Sequence, residues 1–277
     1  MRSELLRRGE RVAARYEAIT VCCESALWVG FSCLHLQNPP LKGRVYDTRK
    51  PSVLLKVVRP ELVREPGTCD RLMREMQRIQ ALKRPGLMPL VDVQFLEMQR
   101  TVVLIDSCVS VPTRRVHGMH TMVGTEIFLL KETHRAMLRL AAVLGDLHRR
   151  GLCHGDLRPE TVLLEMGQLF VSLRDLGLGT SLPRADYLQA LKYRGDLELV
   201  APEVRDGRAP DPRADVFGVA TLYQSVLESA CEQEHTTPQR KYPALAQVLK
   251  RGLHDDPAQR YESGAALRSA LAGVAPR

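Results

Sequence analysis

The amino-acid sequence predicts an α+β fold in two parts, a small strand-rich part with one main helix followed by a larger helical part. Three observations carry that expectation. Strand-like apolar runs concentrate before residue 107, helical periodicity dominates after it, and 277 residues with 44% hydrophobic content suffice for one large core or two modest ones.

Taken in order, residues 1–18 (MRSELLRRGERVAARYEA) read as a charged amphipathic helix. Residues 43–58 (GRVYDTRKPSVLLKVV) read as two strands about a turn at Thr48–Pro51, with VLLKVV apolar enough for a covered strand. From Thr68 to Leu82 the period is helical, with Leu72, Met76 and Ile79 on one side. Strands are expected at 91–96 and 101–106, and a boundary near 107–112 divides the chain into 1–107 and 108–277. Glu126–His148 has helical spacing and ends in Arg149-Arg150-Gly151, a basic turn with a glycine stop. VLLEMGQLFVSL supplies two short strands around Met166-Gly167-Gln168, and helices follow at 216–229, 243–252 and 262–271.

The net charge of +8 and the pI near 9.3 favour acidic partners. The basic residues are scattered and not interleaved with aromatics, which argues against a specific nucleic-acid interface. Arg2, Arg7, Arg8, Arg11 and Arg15 make an acidic membrane surface a candidate partner, against the plainer reading of a solvated helix face. Seven cysteines form no CxxC pair and no zinc spacing with His, and their odd number argues against a fully paired disulfide framework. No window resembles a transmembrane span, since ITVCCESALWVGF is interrupted by Glu24 and Ser25. Localisation stays open between the cytoplasm and secretion with a removed signal segment.

The chemistry-bearing stretches are ordered. VLLK (53–56) holds Lys56, Glu75 follows nineteen residues later in a helix, and HGDLRPET spans 154–161. Asp175-Leu176-Gly177, Ala201-Pro202-Glu203, Asp215 and Arg260 come next. Over roughly residues 43–271 this set resembles the eukaryotic-type protein kinase family. The resemblance implies a bilobal fold with Lys56 facing Glu75 and Asp175. Lys56, held by Glu75, would orient the phosphates of ATP, while Leu54, Leu163 and Ile105 would line the nucleotide site. Asp156 would serve as the catalytic base with Arg158 in the place of the usual lysine. Asp175 would hold Mg²⁺, with Thr161 at the second metal position. His154, Leu176 and Ile79 would stack through the core, Glu203 would pair with Arg260, and Asp215 would open the helix after the Ala-Pro-Glu motif.

Four departures bear on activity. No G-x-G-x-x-G precedes the lysine strand, where ESALWVGFSCLHLQNPPLKG stands instead. Thr161 replaces the family's metal-binding Asn, and Leu54 replaces Ala beneath the adenine. Gly155 replaces the Arg that reads a phosphorylated activation segment, and Asp196 stands where Thr is usual. Thr180, Ser181 and Tyr187 are candidate phosphosites. The helical end is also short, with about thirty residues between the helix near Asp215 and RYES. Loss of the glycine loop resembles a group of secreted apicomplexan kinases that includes pseudokinases. The sequence thus reads first as a pseudokinase working by protein–protein interaction, with weak ATP binding or none. The alternative is an active ATP- and Mg²⁺-dependent serine/threonine kinase with a protein substrate.

Overall fold

The computed structural model describes residues 5–36, 53–107, 116–118, 130–165 and 170–276. In chain order the strands are β1 (Arg11–Val12), β2 (Tyr16–Glu24), β3 (Trp28–His35), β4 (Val53–Val58), β5 (Leu90–Leu96), β6 (Thr101–Ser107), β7 (Val116–Gly118), β8 (Val162–Glu165) and β9 (Phe170–Leu173). The helices are α1 (Thr68–Gln80), α2 (Leu130–His148), α3 (Leu178–Ser181), α4 (Arg184–Arg194), α5 (Pro202–Arg205), α6 (Pro212–Gln233), α7 (Pro238–Lys241), α8 (Pro243–Gly252) and α9 (Gly264–Ala272). Two compact units result, one of residues 1–83, 88–111 and 181–193, the other of 84–87, 112–180 and 194–277. The expected fold class, a strand-rich lobe and a helical lobe, is the one observed. The strand at 43–47, the turns at Thr48–Pro51 and Met166–Gln168, residues 126–129 and Cys108 fall outside the described residues.

The first unit is an antiparallel sheet in the order β1-β2-β3-β4-β6-β5. Side chains alternate between its faces. Val29, Phe31 and Cys33, Val53, Leu55 and Val57, and Val103 and Ile105 form one buried cluster with Leu6, Val12, Tyr16 and Ala18. The register puts Gly30 opposite Lys56, Ser32 opposite Leu54, Leu104 opposite Lys56 and Asp106 opposite Leu54, so these residues share the other face. Helix α1 buries Leu72 and Met76 and half-buries Ile79, the face read from its period.

The N-terminal helix expected at 1–18 is not formed in the described part of that segment. Gly9 (φ +82°), Ala13 (φ +50°) and Ala14 (φ +54°) are left-handed, which stops a helix, and β1 and β2 occupy the rest. The winning effect is burial. Leu6, Val12, Tyr16 and Ala18 complete the sheet's core, and that gain exceeds the few tenths of a kcal/mol per residue of helix propensity. Tyr16 is held further by its hydroxyl, 3.1 Å from Asp92 Oδ2, and burial pushes its phenol up to about 12. The arginines therefore make no helical stripe. Arg11 lies 3.4 Å from Glu17 and Arg15 lies 3.9 Å from Asp92, while Arg2 is outside the described residues.

In the second unit α2 packs on α9 and α6, and α8 packs on α6. Helices α2 and α9 meet at two glycines. A Cβ on Gly145 would lie 2.9 Å from Ala265 N, and one on Gly264 would lie 2.6 Å from Ala141 O, so only glycine permits this approach. Helix α6 starts at Pro212, capped by the Asp211 carboxylate accepting from Arg213 N at 2.7 Å. Asp215 therefore does not open this helix but sits in its first turn. A three-stranded sheet, β7-β8-β9, completes the unit. Among the described residues no helix is long and apolar enough to cross a membrane.

Candidate active site

In the first unit the β2–β3 turn stands where the lysine strand's neighbour would carry the glycine loop. Ser25, Ala26, Leu27 and Trp28 are all buried. The Ser25 hydroxyl accepts from Leu27 N at 3.0 Å and from Trp28 N at 3.2 Å, and Ser25 N donates to Trp28 O at 2.9 Å. Arg59 closes the turn from outside, with Nε and Nη2 3.2 and 3.1 Å from Ser25 O and Nη2 3.4 Å from Glu24 Oε2. A glycine loop would present its backbone N–H groups to phosphates, whereas here a side-chain hydroxyl takes two of them.

Lys56 is fully buried on β4. Its ammonium pairs with the Asp106 carboxylate and sits 5.0 Å from the centroid of the Trp28 ring. Glu75, expected to hold this lysine, instead pairs with Arg78 one turn along α1, at 3.7 Å. The reason is competition, because Asp106 lies two strand positions away on the same sheet face, and a buried ammonium takes the nearest buried carboxylate. Ile105, expected to line the nucleotide site, lies on the opposite face. It pairs with Leu55 and belongs to the core cluster, so strand alternation turns it away from Lys56. Leu54 does share the lysine's face, with Cδ1 3.2 Å from where a Gly30 Cβ would sit.

In the second unit HGDLRPET forms a tightly tied loop. The Asp215 carboxylate accepts from His154 N (2.7 Å), Gly155 N (2.8 Å) and His148 Nε2 (2.9 Å). Gly264 N donates to His148 Nδ1 at 3.0 Å, which leaves the ring proton on Nε2, towards Asp215. His154 Nδ1 accepts from Asp156 N (3.3 Å), so its Nε2–H donates to Arg174 O (2.9 Å). Asp156 and Arg158 are both buried. Arg158 forks onto the carboxylate, Nε to Oδ1 at 2.8 Å and Nη2 to Oδ2 at 3.0 Å, and its Nη1 reaches Glu160 at 2.5 Å and Asp196 at 3.3 Å. Thr161 is a loop brace. Its hydroxyl accepts from Arg158 N at 3.0 Å and lies 3.2 and 3.0 Å from the carbonyl oxygens of Asp156 and Arg158.

Asp175 takes a left-handed backbone (φ +64°), and Gly177 follows with φ +75°. The Asp175 carboxylate is buried 3.9 Å from Arg174 Nε, and Leu176 is buried beside it. A non-glycine residue held in that region costs of order 1–3 kcal/mol and is typical of functional positions. Gly155 is also left-handed (φ +72°), and a Cβ there would lie 2.5 Å from Thr180 Cγ2 and 2.9 Å from Pro210 Cγ. No arginine fits. Tyr187, expected as a phosphosite, is completely buried with the Arg184 guanidinium 5.1 Å from its ring, and the Thr180 hydroxyl is bonded to Gly177 O at 3.0 Å. Leu163 is half-buried on β8.

Structural anchors sit where the motifs placed them. Glu203 and Arg260 form a buried two-pronged pair at 2.8 Å for each prong. Arg260 also donates to the carbonyls of His254, Arg213 and Asp255 and stacks 4.9 Å from Phe217. The sequence reading missed Ser25, Trp28, Arg59, Asp106 and His148. Register alone could have exposed Asp106, as an acid two positions beyond the residue opposite Lys56.

Tested against magnesium nucleotide, the donor set divides. Asp175 is a carboxylate suited to hold Mg²⁺, and Asp156 is a carboxylate aligned by two bonds from Arg158. The β2–β3 turn fits a phosphate cradle poorly, because the N–H groups of Ser25, Leu27 and Trp28 are already taken.

The family model described as "Protein kinase domain" matches residues 42–262. The chain is 26% identical over 268 residues to serine/threonine-protein kinase pkn3 of Myxococcus xanthus, covering 84% of this chain and 47% of that protein. It is 25% identical over 251 residues to PknD of Mycobacterium tuberculosis, covering 80% and 36%. The chain thus spans about half or less of the length of these relatives. Among solved structures, the M. tuberculosis PknI kinase domain superposes with a TM-score of 0.70 at 21% identity, covering 98% of this chain and 100% of that one. The kinase domain of maize SIRK1, bound to AMP-PNP, gives 0.72 at 12% identity, covering 96% of each chain. At those identities the superpositions establish the fold, and the family follows from the matched model, which covers most of the chain: it belongs to the protein kinase family.

Proposed function

We propose that this chain is a serine/threonine protein kinase domain, transferring phosphate from ATP to a protein hydroxyl, with its first unit in a resting arrangement. The observation that carries this reading is Asp156. A buried carboxylate with both oxygens aligned by the Arg158 fork, on a loop whose backbone is pinned by Asp215, is costly to keep. The names of the bacterial relatives point the same way. Asp156 orients the substrate hydroxyl and takes its proton as the oxygen attacks. Asp175 is the residue to hold Mg²⁺, which with ATP supplies the transferring group and neutralises its charge. In the first unit Asp106 competes with phosphate for Lys56, so productive binding requires Lys56 to exchange a carboxylate partner for a phosphate.

The pseudokinase reading is favoured by a different observation, the Ser25 hydroxyl occupying the turn's N–H groups while Thr161 braces its own loop. The resemblance to secreted apicomplexan kinases rests on the lost glycine loop alone. One experiment separates the two. Transfer from γ-labelled ATP to a mixed serine/threonine peptide library is expected with the wild-type chain. It should fall by about 10²–10⁴-fold in Asp156→Asn. Calorimetry showing no ATP binding at millimolar concentration, with no transfer, would install the pseudokinase reading instead.

A further inference from the structure

Cys22 and Cys23 lie near the end of β2, where the ladder to β3 slips. Val21 pairs with Phe31 and Cys23 with Gly30, so Cys22 is an inserted residue between two successive pairs. In a regular strand neighbouring side chains point to opposite faces, and adjacent thiols cannot meet. The bulge cancels that alternation. The two sulfurs lie 3.6 Å apart, and Cys22 Sγ is also 3.5 Å from Gly30 O. Cys22 is exposed and Cys23 half-buried, so both can be reached from solvent. The space over Gly30 is what admits Cys23. A Cβ there would lie 2.6 Å from Cys23 Sγ, 3.0 Å from Trp28 Cζ3 and 3.2 Å from Leu54 Cδ1. The sulfur and the chain's single tryptophan thus border the same space over Gly30.

The spacing selects the chemistry. A disulfide needs sulfurs about 2.05 Å apart and Cα atoms usually at least about 4.4 Å apart, whereas sequence neighbours are held at about 3.8 Å. Two sulfurs each about 2.3 Å from one centre are separated by about 3.3 Å at a right angle and about 3.8 Å at the tetrahedral angle, a range that contains the spacing found. Zinc would ask for further ligands, and among the described residues no group of three or more His, Cys, Asp or Glu is placed to hold a metal. A trivalent organoarsenical asks for two sulfurs only.

We propose that Cys22 and Cys23 form a two-thiol chelating site for a single thiophilic centre, of which trivalent organic arsenic is the matching class. Its formation balances without a redox partner. Two S–H bonds and the arsenic–oxygen bonds of an arsine oxide break, two As–S bonds form, and one water leaves, with arsenic trivalent throughout. Three other thiols, Cys33, Cys69 and Cys231, compete poorly. Burial pushes Cys33 up to about 12 and raises Cys69 and Cys231 above the ordinary thiol range. The site is independent of phosphotransfer and stands whether or not the domain is active.

The test is a titration of the full chain with phenylarsine oxide in excess glutathione, followed by intact mass and by Trp28 fluorescence. The expected result is one arsenical per chain, with quenching that saturates at one equivalent and reverses with ethane-1,2-dithiol but not with monothiol. Cys22→Ser and Cys23→Ser should each lose the retained adduct and the quenching, while Cys69→Ser keeps both. Cys22 is exposed, so its serine variant stays folded and carries the test even if Cys23→Ser does not. Retention unchanged in Cys22→Ser, or no retention by the wild-type chain against glutathione, overturns the proposal.

Discussion

Ser25 and Asp106 set the state of the first unit's polar face, one through a hydroxyl and the other through a charge. Replacing Ser25 by Ala leaves the buried N–H groups of Leu27 and Trp28 without their acceptor. The expected cost is about 1–3 kcal/mol in denaturant unfolding, accompanied by tighter ATP binding in calorimetry as those donors become available to phosphate. Asp106→Ala removes a buried carboxylate from the Lys56 ammonium and should cost about 3–5 kcal/mol, whereas the pair Lys56→Met with Asp106→Leu should recover most of it. His134 carries a pH signature. Its ring is buried with Nδ1 2.8 Å from the Tyr223 hydroxyl, and burial holds it below the ordinary imidazole range. The folded state therefore favours neutral His134. Its contribution is complete above the unfolded value near 6.5 and is lost as pH falls from there through the depressed folded value. Thermal melts from pH 7.5 to 5 should show that loss, and His134→Gln should flatten it.

At the scale of elements, the second unit is held by pairs far apart in sequence, and one of these was its most legible feature. The Glu203–Arg260 pair was readable because its demand is chemical: a buried charge must have a partner, and the motif spacing names it, whereas the partners of Asp156 and Asp215 were not foreseen. Arg260→Ala leaves Glu203 of α5 buried and unpaired, with an expected loss of about 3–5 kcal/mol in chemical denaturation. Arg260→Lys should lose less but still measurably, since an ammonium cannot reproduce the two-pronged bond. The partner of Lys56 and the face of Ile105 were misread for one reason. Which carboxylate meets a lysine, and which face a strand residue joins, depend on register, and register is fixed by tertiary pairing. The β2–β3 turn was equally hidden, because a serine that caps its own turn reads in sequence as any polar residue.

For the whole molecule, the division into a strand-rich and a helical unit was legible from periodicity, but the start of the first unit was not. The charged N-terminus imitates an amphipathic helix, yet it contributes Leu6, Val12 and Tyr16 to the sheet's core. Deleting residues 1–15 should therefore unfold the first unit, read as a red shift of Trp28 emission as the now-buried ring meets water. The helical unit's content by circular dichroism should survive. A chain whose N-terminal segment were only a surface helix would keep its Trp28 emission unchanged.

The packing at Gly155 has a consequence for the history open to this chain. A glycine codon becomes an arginine codon by a single base change, so the missing arginine is always one mutation away. That mutation meets a left-handed backbone, Thr180 at 2.5 Å and Pro210 at 2.9 Å. Such a substitution is thus strained unless Thr180 and Pro210 have already changed. An arginine-read phosphate at this position therefore demands changes at three places at once, Gly155, Thr180 and Pro210.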